Sequence, residues 1–298
     1  MSDIHDRASR RAFLRTGALA AAGCCCVSRA AAGDPVAGRK LFSAMGIAAP
    51  LARAAALKER GAGFLTESVD GFLVPGQADG VFAANLAKLT AAPLKILACN
   101  GFIRPAHLHC VGADANHDQV LAWADTAFRR LHQANGKFIV FGSGGARALR
   151  DGWPKDKADA QFVALLKRMG PLAAQHGVSV VVEQLQASEC NYINHLGEGA
   201  ALIRQAGHPS IRLLADLYHM ARMGDTPADL KAAMDVVAHI EIAEKDGRTV
   251  PGVHGDDFRP FFRVLREAGY QGAISIEGKG TDEQIGNAFA EITRQAAD

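Results

Sequence analysis

VSVVVEQ (178–184), IRLLAD (211–216), VVAHIEIAE (236–244) and GAISIEG (272–278) decide how this chain folds. Each holds a short apolar run of about four to seven residues, rich in Val, Ile and Leu, followed by a polar stretch and then a helical pattern. Continuous apolar runs of this length read as strands buried on both faces of a parallel sheet. Three of them reach an acid, Glu183, Asp216 and Glu277, and the run at 236–244 carries His239 and Glu241. An acid at the carboxyl end of such a strand lies on the face where barrel enzymes keep their chemistry. Four consecutive strand ends therefore aim candidate ligands at one point.

Upstream of these runs, residues 40–45, 63–68, 95–100 and 137–142 read as four further strands. Helical patterns intervene at 51–60, 85–90, 119–134 and 158–177, and in the second half at 197–207, 227–237, 258–268 and 282–296. Gly61 marks the stop of the first. Eight strands alternating with eight helical patterns predict an α/β fold, a single (β/α)8 TIM barrel over residues 33–298. An open, doubly wound sheet is the alternative. It lacks support, because no Gly-rich dinucleotide loop follows the first strand. Ser143-Gly144-Gly145 has the wrong spacing for one and reads as a tight loop near a substrate.

A length of 298 residues suits one barrel, and 49% apolar content allows a large core. Only 6% is aromatic, so that core is mostly Ala, Leu, Val and Ile. Charges balance closely, with 33 Lys and Arg against 31 Asp and Glu. That balance argues against nucleic acid as an obligate partner, which calls for a basic face. Residues 1–32 read as a twin-arginine signal peptide: Ser9-Arg10-Arg11-Ala12-Phe13-Leu14-Arg15, an apolar run at 16–27, then Ala30-Ala31-Ala32. The expected destination is the periplasm. Twelve apolar residues are too few to cross a bilayer, so no membrane attachment is expected once the leader is removed. Ala21-Ala22-Gly23-Cys24 loosely resembles a lipidation box, which makes a lipoprotein anchored at Cys24 the alternative. Cys99, Cys110 and Cys190 remain after the leader; an odd count without paired spacing is no disulfide framework. The outer helices of such a barrel can also pack into a homo-oligomer.

In the predicted barrel Glu183 and Glu277 face each other across the mouth. Like charges held that close repel unless a cation or a shared proton relieves them. A divalent metal answers this, with Asp216 and Glu241 completing the set. Carboxylate-rich donors suit Mn, Mg or Co, and Zn is compatible.

These motifs together resemble the sugar isomerase/epimerase family of xylose-isomerase-like barrels, which includes hydroxypyruvate isomerase and the ketose 3-epimerases. The similarity runs through the chain from the first strand and is strongest over 178–277. In VEQLQASE it implies Glu183 as a metal ligand and Glu189 as a substrate contact. In LLADLYHM it implies Asp216 as a ligand and His219 on the substrate side. HIEIAEKDGRTVPG places Arg248 at a substrate position, and ISIEG supplies Glu277 as the last ligand. One departure stands out. Ketose epimerases have a metal-binding His, and hydroxypyruvate isomerase a Gln, where this chain has Glu241. Glu241 is read as the ligand, and His239 as a satisfied core histidine.

The resemblance implies a metal-dependent isomerase or epimerase acting on an open-chain keto-sugar or hydroxy-keto acid. Glu183 and Glu277 take and return a proton beside the carbonyl through an enediolate. His219, Arg248 and Glu189 contact the substrate; Arg147, from its place after the fourth strand and apart from the resemblance, reads as a further substrate contact. The alternatives are a lyase or dehydratase of a keto-sugar using the same site, and a non-catalytic exported sugar-binding protein. Glu67 reads as a mouth residue or an ion-pair partner. His107, His109 and His117 lack zinc spacing and read as a lid or a solvated loop.

Overall fold

The structure is a computed structural model that describes residues 40–298. Its strands are β1 (Met45–Ala48), β2 (Phe64–Ser68), β3 (Lys95–Asn100), β4 (Phe138–Phe141), β5 (Ser179–Glu183), β6 (Ile211–Asp216), β7 (Val237–Ile242) and β8 (Ile274–Ile276). They pair in parallel in chain order, and β1 pairs with β8 to close the barrel. The helices are α1 (Ala54–Glu59), α2 (Asp79–Ala91), α3 (His117–Gln133), α4 (Gly144–Arg147), α5 (Lys155–Gln175), α6 (Leu196–Ala206), α7 (Leu217–Met223), α8 (Pro227–Ala233), α9 (Arg259–Glu267) and α10 (Asp282–Ala297). The expected (β/α)8 barrel is the fold observed. The leader expected at 1–32, with its arginine pair and Cys24, lies outside the described residues. Among the described residues no helix is long and apolar enough to cross a membrane, and the three cysteines are buried free thiols.

The strands form where β-branched and apolar residues are buried on both faces. Val180, Val181 and Val182 have no exposed surface. Each such side chain contributes roughly 1.5–3 kcal/mol by leaving water. One set of alternate residues packs on the surrounding helices. The other fills the barrel, where Ala98, Phe138, Val140, Val181 and Leu214 form a separate apolar cluster. Higher in the barrel, Thr66 Oγ1 and Ser275 Oγ lie 3.0 Å apart and satisfy each other. This packing gives the mouth of the barrel a fixed floor.

Two expectations need correction. The first strand is Met45–Ala48, not residues 40–45. Phe42 packs edge-on against Phe262 and Tyr270, so its segment is the approach to the barrel and not a rung of it. The stretch after β4 is not simply a loop, because Gly144–Arg147 closes one helical turn. A short helix, α7, also begins directly after Asp216, whose Oδ1 accepts from the main-chain N–H of Tyr218 (2.7 Å) and His219 (3.1 Å). The acid ending β6 is thus also an N-cap.

Candidate active site

Asp216 and Glu241 are register partners on β6 and β7, so they emerge side by side on one face. Glu183 and Glu277 flank them. One carboxylate oxygen from each of the four lies within 4.8 Å of the others. Glu183, Asp216 and Glu241 are buried, and Glu277 is partly exposed at the mouth.

Glu277 is anchored through both oxygens. Its Oε1 accepts from Asn100 Nδ2 at 2.8 Å, and its Oε2 is paired with Arg248 Nη2. Burial and the charge of Glu183 push its carboxyl up to about 7 despite that arginine. Glu241 is the opposite case. Both its oxygens are buried with no hydrogen-bond partner. Burial first, then Glu277, Glu183 and Asp216, raise its pKa well above the ordinary value. Bare carboxylates this close are electrostatically unfavourable. A buried acid with two orphaned oxygens lacks the partner that such groups normally have. The donor set therefore fits a divalent cation held by Glu183, Asp216, Glu241 and Glu277. Oxygen donors are what hard cations prefer.

His219 is fully buried beside the acids. Its Nδ1 accepts from Gln186 N at 3.1 Å, so the neutral ring carries its hydrogen on Nε2. That nitrogen has no hydrogen-bond partner and faces Glu183 (3.5 Å), Asp216 (3.7 Å) and Glu189 (3.9 Å). Arg248 spans the rim. It donates through Nε to Glu277 O at 3.2 Å and through Nη1 to Glu189 Oε1 at 3.3 Å, and stacks 4.7 Å over the Tyr218 ring. Its backbone is left-handed, with φ 51°, a strained conformation for a non-glycine residue that tends to persist where a site needs it. Glu244 holds the same loop by accepting from the N–H of Gly252, His254 and Gly255.

Glu183, Glu189, His219, Arg248 and Glu277 line one cleft of about 610 Å³. Arg147 does not. It is fully buried, and its Nη2 donates to the backbone carbonyl of Glu183 at 2.7 Å. Its place among the substrate contacts is corrected: α4 folds it under the strand end, where it holds the main chain of Glu183. Glu67 also turns away from the mouth, accepting from the N–H of Leu51 and Ser68. His109 pairs with Asp114, and His117 meets the Cys110 carbonyl at 2.9 Å, so these two loop histidines hold their own segment. His239 is buried and stacks on Phe138. It is not the satisfied residue expected, because neither ring nitrogen has a partner. Burial, then Lys137, keep it neutral by lowering its pKa to about 3.

Two residues escaped the sequence reading. Asn100 ends β3 as the acids end their strands, and the rule that found those acids applies to it once polar amides are admitted. Gly142 gave no signal. A Cβ there would overlap Glu183 Oε2, so glycine makes the room that the carboxylate occupies.

A family model described as xylose isomerase-like TIM barrel matches residues 51–296. The chain belongs to that family. Among members of this xylose isomerase-like family, an L-ribulose 3-epimerase from Methylomonas sp. is 30% identical over 119 residues, covering 40% of this chain and 41% of the relative. A 2-oxo-tetronate isomerase from Cupriavidus necator is 28% identical over 120 residues, covering 38% of this chain and 46% of the relative. The matched segments thus span less than half of these curated relatives. A solved structure of the IolI protein with a binding zinc atom superposes with a TM-score of 0.68 at 15% identity, covering 85% of this chain and 98% of that one. The homologues are sugar or keto-acid isomerases and epimerases.

Proposed function

We propose that this chain is a metal-dependent isomerase or epimerase that moves a proton beside the carbonyl of an open-chain keto-sugar or hydroxy-keto acid. The observation that carries this reading is the four-carboxylate cluster with Glu241 unpartnered at its centre. The zinc atom in the IolI structure and the activities of the relatives support it. A divalent cation held by Glu183, Asp216, Glu241 and Glu277 would polarise a carbonyl and its neighbouring hydroxyl, making the C–H between them acidic.

The side chains do the rest. Glu183 approaches from the β5 side and Glu277 from the β8 side, and one removes the proton while the other returns it. His219 donates its Nε2 hydrogen to a substrate oxygen. Its ring cannot turn, because Gln186 N holds Nδ1. Arg248, fixed between Glu277 and Glu189, contributes its remaining N–H groups to a substrate hydroxyl or carboxylate. Arg147 keeps the end of β5 in place.

The test is elemental analysis of the purified protein, followed by NMR of solvent deuterium entering keto-sugars and hydroxy-keto acids. Exchange that stops on chelation and returns with Mn²⁺ is the expected result. Sugar binding with neither metal nor exchange would leave a binding protein instead. We also propose that residues 1–32 export the folded enzyme to the periplasm. Replacing Arg10 and Arg11 by Lys is expected to trap the precursor in the cytoplasm, and undiminished export would sink the assignment.

A further inference from the structure

Among the described residues lining the cleft, Arg104 is an arginine that the acids do not use. Arg104 follows β3 and lines the same cleft as Glu183 and Glu277. Arg248, the other arginine lining it, is bonded to both Glu277 and Glu189. Among the described residues Arg104 pairs only with Asp70, at 3.8 Å, and its side chain is 63% exposed. A separation that long between two exposed groups is a weak pairing.

Its position is nonetheless set by the loop. Gly101 is left-handed, with φ +64°, and a Cβ there would lie 2.6 Å from Arg104 Nε. The guanidinium therefore rests over the residue next to Asn100, whose amide holds the Glu277 carboxylate. Arg104 and the acids line one cleft, so a substrate whose reacting carbons sit among the acids can extend toward Arg104. The charge of Arg248 is already matched by Glu277 and Glu189. Arg104 keeps an open planar fork that matches a carboxylate.

We propose that Arg104 is a specificity-determining residue that selects substrates carrying a carboxylate: the enzyme works on hydroxy-keto acids in preference to neutral ketoses. This rests on the function proposed above and narrows its substrate class.

Hydroxypyruvate and dihydroxyacetone differ only in a carboxylate replacing a hydroxymethyl group. Solvent deuterium exchange into each is measured with the Mn²⁺-loaded full chain. The expected result is a higher kcat/KM for hydroxypyruvate. In Arg104→Gln the ratio of the two kcat/KM values falls about ten- to a hundredfold, mostly through KM, and Arg104→Lys restores part of it. An unchanged ratio in Arg104→Gln overturns the inference. Dihydroxyacetone phosphate forms a third arm, and preference for it over hydroxypyruvate overturns the carboxylate assignment. Exchange into no substrate by the unaltered protein defeats the isomerase reading instead. In that case calorimetric titration with glycerate decides Arg104 separately: weaker binding by Arg104→Gln than by the unaltered protein supports it, and equal binding refutes it.

Discussion

The two halves of the barrel mouth are built from different residues. Strands β5 to β8 bring Glu183, Asp216, Glu241 and Glu277 to one point. Strands β1 to β4 end in Ala48, Ser68, Asn100 and Phe141, with Gly142 next in the chain. One half carries the cluster of acids. The other supplies an amide to aim one acid and an empty space to admit another. The difference separates the groups proposed to move a proton from the groups that decide where those groups stand.

The acidic half is expected to give the largest effects. Glu183→Gln and Glu277→Gln each remove a proposed proton carrier while keeping size, although the amide at 277 can accept from only one of Asn100 and Arg248. Each should lower the rate of deuterium exchange by about 10²–10⁴-fold. Rapid-quench NMR at saturating substrate reads kcat directly. Loss smaller than tenfold in both would mean that the proton moves through other groups, and the contrast between the halves would dissolve.

The neutral half sharpens the comparison at two residues. Gly142→Ala places a methyl group where Glu183 Oε2 now lies. Displacing a reacting group by about 1 Å costs on the order of a hundredfold, so this small change should approach the loss seen when Glu183 is replaced. Circular dichroism should remain that of the folded barrel, since the mouth is above the packed core. Asn100→Ala removes a 2.8 Å bond to a carboxylate. Such a bond is worth about 1.5–3 kcal/mol, so a fall of about tenfold in kcat/KM is expected. If Asn100→Ala left the rate intact, Arg248 alone would suffice to hold Glu277.

The sequence exposed these halves unequally, and the reason is physical. Acids at the ends of buried strands stand out because ionised groups seldom occur there without a partner. Glu183, Asp216, Glu241 and Glu277 were legible for that reason, and the barrel was legible from the strand runs around them. Gly142 acts by leaving a volume empty, and an empty volume has no sequence signature. Arg147 was misread because its spacing put it near the mouth. A single turn, α4, then carried its guanidinium beneath β5. β1 slipped because apolar Leu41 and Phe42 imitate a strand while packing outside one.

The smallest expected effect is on stability, and it asks whether the acidic half is costly without the proposed cation. Glu241 titrates well above 4.5 in the folded chain, and Glu277 is pushed up to about 7. A carboxyl with a raised folded-state pKa holds its proton more tightly when folded than when unfolded. Its stabilising share is complete below the unfolded value of 4.5 and is lost as pH climbs through the folded value. The chelated protein should therefore lose stability as pH rises from 4.5 to 7 and beyond. Gln at position 241 cannot ionise and nearly matches the volume. In mildly alkaline solution Glu241→Gln should stabilise the chelated protein by about 1–3 kcal/mol, flatten the pH slope, and shrink the rise in Tm conferred by Mn²⁺. Thermal melts across that pH range, with and without chelator, read all three. An unchanged metal-induced rise in Tm would take Glu241 out of the donor set and leave three carboxylates to hold the ion.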